Sequence, residues 1–455
     1  MQTWLKAALD YVPHWLDYQM RTTEQPGCVV AIAYRGRVVL EQAFGHADQA
    51  RGEKLTPRHR LRVASHSKSF TAAGILKLRE AGRVRLDDPV GGYVDGLHPE
   101  VAAATIGQLL SHSAGLVRDG TDAGQWQDRR PFLDDGELRA ALAEPPVLPA
   151  STRFKYSNHG YGLLGLVIEA VTGEPWSRWI RREIVVRSGL KETEPDAPLP
   201  DGVPLARGHS RKLPLGRRVV IAGDNPTNAL ASATGFVSTA GDLARFFSSL
   251  DPAARRSVLS PASRREMVRR QWADPYSSLD RQYGLGLILG RVADWEWFGH
   301  AGGFQSCISR TVVLPGREIA VSVLTNAIDG LAHQWSDGVV HILRGFEKHG
   351  APGARTRDWT GRWWMLWATH DLVAMRDRVL VANPALFNPF LDASEIAVTG
   401  RDTGTIRLAG GFANHGEGAR LERDDAGNVV AFRLGGTRLL PEAAAAAEIE
   451  ARYGG

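Results

Sequence analysis

Cysteine is nearly absent from this chain, Cys28 and Cys307 being the only two among 455 residues. Two thiols cannot build a disulfide framework, which excludes the small secreted scaffolds that depend on one. Two buried thiols are the expectation, with a single bridge left open. Long hydrophobic runs are missing too. No stretch approaches the roughly 20 apolar residues of a membrane span. Met1 to Met20 contains Asp10 and Asp17 where a secretory leader carries an apolar core. Leu5, Leu9, Val12 and Leu16 recur there at helical spacing, so an amphipathic helix packed on the fold is expected. On these grounds the protein is expected to be cytoplasmic and to make no membrane contact.

Metal and phosphate motifs are equally scarce. There is neither His-Glu-x-x-His nor paired Cys-x-x-Cys, and the scattered histidines have no ligand spacing, so no metal or other cofactor is expected. The Gly-x-x-x-x-Gly-Lys-Ser/Thr loop that cradles phosphates is absent, as is the Gly-x-Ser-x-Gly elbow of the α/β-hydrolases. The net charge is +5. The basic residues fall at helical spacing, as in Arg264, Arg265, Arg269 and Arg270, which reads as solvated helix faces and gives no nucleic-acid partner.

What is present is an ordinary globular composition, 43% hydrophobic and 23% charged, in a chain long enough for two domains. Gly27 to Tyr34 and Arg37 to Phe44 read as a hairpin turned by Arg35-Gly36. A long apolar helix follows and ends near Gly82. From about 83 to 250, short helices alternate with Pro/Gly-rich loops. Strand signals return at Gly284 to Leu289, Cys307 to Leu314 and Glu318 to Leu324, ahead of a helix from about Gly330 to Phe346. Strands at both ends with helices between them predict one antiparallel sheet closed by chain-distant segments. Residues 348–357 read as a linker between a domain over 1–347 and a second over 358–455. In the second, about eight short strands separated by Gly/Asp/Asn turns predict a small all-β barrel or sandwich. Its aromatic start, Trp359 through Trp363, Trp364 and Trp367, reads as core filling.

Three stretches carry chemistry. Val63-Ala64-Ser65-His66-Ser67-Lys68 sets a serine three residues before a lysine, on one helix face. An alcohol needs a neighbouring base to become a nucleophile, and a desolvated lysine can serve or assist one. Phe154-Lys155-Tyr156-Ser157-Asn158 offers a phenol able to take the Ser65 proton as a phenolate, and an amide able to reach both Lys68 and a substrate carbonyl. Trp297-Phe298-Gly299-His300-Ala301-Gly302-Gly303 lets a substrate backbone approach a strand edge, where the Gly303 N–H can meet an acyl oxygen.

In this order and spacing the three stretches resemble the serine β-lactamase and penicillin-binding-protein superfamily. The branch with class C β-lactamases, D-aminopeptidases and family VIII esterases is the most similar. Its pattern Ser-x-x-Lys, Tyr-x-Asn, Lys/His-x-Gly is matched by Ser65-Lys68, Tyr156-Asn158 and His300-Gly302. Leu109 to Leu116 and Gly235 to Leu243 are also similar to family signatures and read as structural, His112 being assigned no chemistry. The resemblance implies a β-lactamase-like α/β (α+β) fold, an antiparallel sheet flanked by helices with an inserted helical subdomain. It implies an acylated Ser65, a base system of Lys68 and Tyr156, and Asn158 orienting substrate. The oxyanion hole would be the Ser65 and Gly303 N–H groups, with His300 helping the electrostatics around Tyr156. The C-terminal region resembles the lipocalin-like barrels of such relatives. Ala301 lacks the hydroxyl that helps β-lactam-binding members hold a carboxylate, which argues against efficient β-lactam hydrolysis. The expected substrate is a small amide or short peptide, with D-residues favoured. An esterase, an acyltransferase or a slowly acylated sensor are the alternatives, and the sequence leaves self-association open.

Overall fold

The computed structural model describes residues 1–275 and 281–454; residues 276–280 and 455, inside the two expected domains, lie outside the described residues. Packing divides the chain into two compact units, Gln25–Ser336 and Met1–Glu24 with Asp337–Gly455.

In the first unit, nine strands among the described residues form one antiparallel sheet. The spatial order is Glu53–Lys54, Arg37–Asp48, Gly27–Tyr34, Ile319–Thr325, Cys307–Leu314, Trp295–Phe304, Ile288–Val292, Gln282–Tyr283, Trp272–Ala273. The central strand Gly27–Tyr34 pairs with its hairpin partner on one side. On the other it pairs with a strand from the far end of the unit, in a register that sets Val30 opposite Val323. The β-lactamase-like α/β fold is therefore present. Gly284 to Leu289 is not one strand as expected, because Gly286 turns the chain with φ +69°. A Cβ on Gly286 would lie 2.5 Å from the Ala72 Cβ, so glycine lets this turn lie on the helix Ser67–Glu80. That helix is buried on nearly every side. Phe70 is stacked between Phe236 at 4.1 Å and Phe246 at 3.9 Å between ring centroids. Gly82 ends it with φ +68°, its N–H bonded to the Arg79 carbonyl. Cys28 and Cys307 are both buried and free.

In the second unit, eight antiparallel strands run in chain order from Gly361–Met365 to Thr437–Leu439. Trp364 and Leu440 exchange backbone hydrogen bonds of 2.7 and 2.8 Å, which closes the sheet into a barrel. The amphipathic helix Thr3–Thr23 belongs to this unit, not to the one carrying residues 25–336. Its apolar face is buried, and its polar side chains bond this unit, Tyr11 Oη to Asp371 at 3.0 Å and Gln19 Nε2 to the Pro384 carbonyl at 2.6 Å. The expected linker is pinned as well. Gly353 N–H and Thr356 Oγ1 both donate to the Arg376 carbonyl, at 2.9 Å each. Trp359 and Trp363 fill the barrel core as expected. Trp367 does not, being 85% exposed beyond the end of its strand. A helix unforeseen in the sequence, Glu442–Tyr453, grows from the alanine run. No helix among the described residues is long and apolar enough to cross a membrane.

Candidate active site

The chain reaches Ser65 through a strained turn. Ala64 has φ +45°, a left-handed conformation unfavourable for a residue with a Cβ. It is held from outside: Val63 N–H donates to the Phe236 carbonyl at 3.0 Å. Ser67 Oγ donates to the Ala64 carbonyl at 2.5 Å and accepts the Phe236 N–H at 3.0 Å. The turn Ala64–His66 leads straight into the helix Ser67–Glu80, leaving Ser65 half-buried and Lys68 fully buried one turn on. As the i, i+3 spacing predicts, Lys68 Nζ lies 3.3 Å from Ser65 Oγ.

Lys68 has two further neighbours, Asn158 Oδ1 at 2.6 Å and the Ala233 carbonyl at 2.9 Å. Burial drives its pKa well below the ordinary 10.5, with Asp119 opposing the shift and Arg118 adding to it. A neutral amine has two N–H bonds and one lone pair. Asn158 Oδ1 and the Ala233 carbonyl are acceptors and take two N–H bonds, which leaves the third position on the nitrogen toward the Ser65 hydroxyl. The Gly235 stretch, read as structural, thus follows directly on a residue that sets the state of Lys68. Asn158 starts the helix Asn158–Thr172, which Ser157 caps by accepting the Gly160 N–H at 2.9 Å. The amide is oriented from behind, Nδ2 donating to Asp119 Oδ1 at 2.5 Å. Asp119 is held in turn by Trp126 Nε1 at 3.0 Å and Arg118 Nε at 3.3 Å.

The Tyr156 ring centroid lies 4.7 Å from Lys68 Nζ. Burial raises the phenol above its usual range, and its hydrogen bond with Ser65 and the nearby Arg118 offset this only in part. Tyr156 is therefore a neutral phenol at pH 7, in place of the phenolate considered from the sequence. His112 fixes it in position. The His112 carbonyl accepts the Lys155 N–H at 2.7 Å, and Nδ1 accepts the Ser157 N–H at 3.2 Å. Its ring packs on Tyr156 at 4.1 Å between centroids. His112, with φ +58°, thus grips the chain on both sides of the phenol, a contribution the sequence reading did not assign.

His300 lies on the strand Trp295–Phe304, whose pairing with Ile288–Val292 ends at Gly299. Its Nε2 is 3.0 Å from the Tyr283 hydroxyl, and burial first, then His66, keep the imidazole neutral. Tyr283 links it to the rest of the site, meeting Tyr156 edge-on at 6.4 Å between centroids. A Cβ on Gly302 would lie 2.1 Å from the Val63 carbonyl oxygen. That glycine lets the strand pack on the turn that carries Ser65. Gly303, next along, is exposed, and a Cβ there would meet nothing nearer than Ile308 Cδ1 at 3.6 Å. The structure thus gathers Ser65, Lys68, Tyr156 and Asn158 into one cluster and sets Gly302 beside its turn. Sequence reasoning missed Asp119, His112 and Tyr283. Among the described residues, no group of three or more His, Cys, Asp or Glu side chains is placed to hold a metal ion.

A buried lysine against a serine hydroxyl, at the head of a buried helix whose leading turn packs on an antiparallel sheet, is an arrangement of the serine hydrolase superfamily. The chain belongs to the Beta-lactamase family, whose model matches residues 13–333. Protein flp of Staphylococcus aureus is 30% identical over 169 residues, 36% of this chain and 34% of its own length. The chain thus spans about a third of that relative. The octameric penicillin-binding protein homologue from Pyrococcus abyssi shares the fold along 95% of this chain and 99% of its own, with TM-score 0.65 and 23% identity. A D-stereospecific amidohydrolase from Streptomyces sp. covers 69% of this chain and 93% of its own, with TM-score 0.58 and 25% identity.

Proposed function

We propose that this chain is a serine hydrolase that acylates Ser65 and cleaves small amides or short peptides, with D-residues preferred, in the manner of an aminopeptidase or amidase. The observation that carries the reading is the Nζ of a buried, desolvated Lys68 lying 3.3 Å from the Ser65 hydroxyl oxygen. Lys68 takes the Ser65 proton as Oγ attacks the carbonyl carbon. The Ser65 and Gly303 N–H groups receive the oxyanion, and Asn158 orients the substrate. The neutral phenol of Tyr156 protonates the leaving amine, and the Lys68 ammonium restores that proton. Water then clears the acyl-enzyme, with His300 acting on the electrostatics of this step through Tyr283. The preference for D-amides is supported by the likeness to the D-stereospecific amidohydrolase, and Ala301, which offers no hydroxyl to a β-lactam carboxylate, argues against a β-lactam as substrate. In this reading residues 1–347 work as the catalytic domain and 358–455 as an accessory barrel, joined through 348–357.

The test is kcat/KM for D- and L-alanine anilides and a short nitrophenyl ester, in wild type and Ser65→Ala. Turnover of the D-anilide above the L-anilide is expected, falling at least about 10³-fold in the variant. Ester turnover alone, also lost with Ser65, would move the assignment to an esterase or acyltransferase. Activity that survives the substitution would remove Ser65 from the mechanism.

A further inference from the structure

The barrel of the C-terminal unit is filled at one level and open at another. Trp359, Trp363, Ile396, Ile406 and Phe432 pack its interior. Above them a cavity of about 580 Å³ opens, with Val381 and Leu439 shared between the packed core and the cavity floor. That volume falls in the range of small-molecule sites. Met365 and Leu434 add apolar wall, while Trp367 and Phe412 stand at the lining 85% and fully exposed. Large aromatic side chains left in water beside an apolar cavity gain by being covered.

The polar part of the lining has one sign. This chain carries 55 Lys and Arg against 50 Asp and Glu, yet no lysine or arginine lines the cavity, and Asp392 and Glu417 do. Glu417 accepts only a 3.3 Å hydrogen bond from Asn414, and neither carboxylate has an ion-pair partner among the described residues. His370, also in the lining, hydrogen-bonds the Ala382 carbonyl and is kept neutral by burial.

We propose that the barrel mouth is a binding site for an amphipathic ammonium compound, its apolar body on the floor and aromatic rim and its ammonium group facing Asp392 and Glu417. Nearby aromatic faces suit the same cation. The site is separate from Ser65 and stands whatever the reaction there.

The experiment is titration calorimetry of the full chain with n-octylammonium, n-octanoate and n-octanol, ligands of one tail and three heads. One saturable event with n-octylammonium is expected, with the other two at least about tenfold weaker. Asp392→Asn with Glu417→Gln, conservative changes at the rim, is expected to weaken n-octylammonium about tenfold while leaving ester turnover at Ser65 unchanged. Trp367→Ala, at an exposed position, is expected to weaken all three ligands. No saturable binding up to about 10 mM would overturn the proposal, as would octanoate binding equally well or an unchanged affinity in the carboxamide double variant. Loss of ester turnover in Ser65→Ala with ammonium binding intact would keep the two sites distinct.

Discussion

At Lys68 three neighbours select one protonation state, and the second layer tunes it. Asp119 is the anion that holds the amine's pKa up against burial, acting from behind Asn158. In the proposed mechanism the neutral amine is the active form, so kcat/KM should rise with pH through the Lys68 pKa, which lies below 10.5. Asp119→Asn removes the opposing charge, and the rising limb of the pH–rate profile should move to lower pH. A limb that stays put or moves up would separate Asp119 from the base. The pair Ser65 and Lys68, and the pair Tyr156 and Asn158, were legible because each lies within one short segment whose spacing already fixes its geometry. Asp119, His112 and Tyr283 were not. Their roles come from contacts across long chain separations, such as the 4.1 Å packing of His112 on Tyr156, and no local pattern encodes such a contact.

Among the elements, the strand Trp295–Phe304 and the turn Ala64–His66 touch at one glycine. Gly302→Ala would put a methyl group 2.1 Å from the Val63 carbonyl, two residues before the nucleophile. Backbone has to move there, so a loss of about 1–3 kcal/mol in stability is expected, with a fall in kcat larger than any change in KM. Urea unfolding together with steady-state kinetics checks both, and an alanine variant of unchanged stability and kcat would mean that the two elements are not in contact. The hairpin Gly27–Tyr34 and Arg37–Asp48 was legible because strand-like apolar runs and a two-residue turn are local signals. The segment Gly284 to Leu289 was misread for the opposite reason. Its apolar residues look like a strand, but they are bent around Gly286 to lie on the nucleophile helix. The first helix was read correctly as amphipathic, but periodicity does not say which unit receives the apolar face.

For the molecule as a whole, buried histidines set the acid limit. His66 is fully buried, and desolvation lowers its pKa from 6.5 to about 3; burial lowers those of His112 and His300 as well. Below pH 6.5 the unfolded chain takes up these protons while the folded chain refuses them. Stability is thus full above pH 6.5 and falls as pH drops toward the folded values. His66 alone contributes a slope of about 1.4 kcal/mol per pH unit in that window. Urea midpoints at pH 7, 6 and 5 should fall in that order, and His66→Gln should flatten the trend. Midpoints that stay level would contradict the neutral burial of these rings.

The central strand Gly27–Tyr34 lies between a neighbour that follows it at once and one, Ile319–Thr325, that closes the unit. On a ribosome these two partners arrive far apart in time. At about 5–20 residues per second the wait is on the order of tens of seconds. Until then the turn bearing Ser65 has no finished sheet to pack on, and Tyr283, His300 and Gly302 do not yet exist. A half-made chain therefore carries an ordinary serine, and the reactivity proposed for Ser65 would switch on only when synthesis of the unit is almost complete.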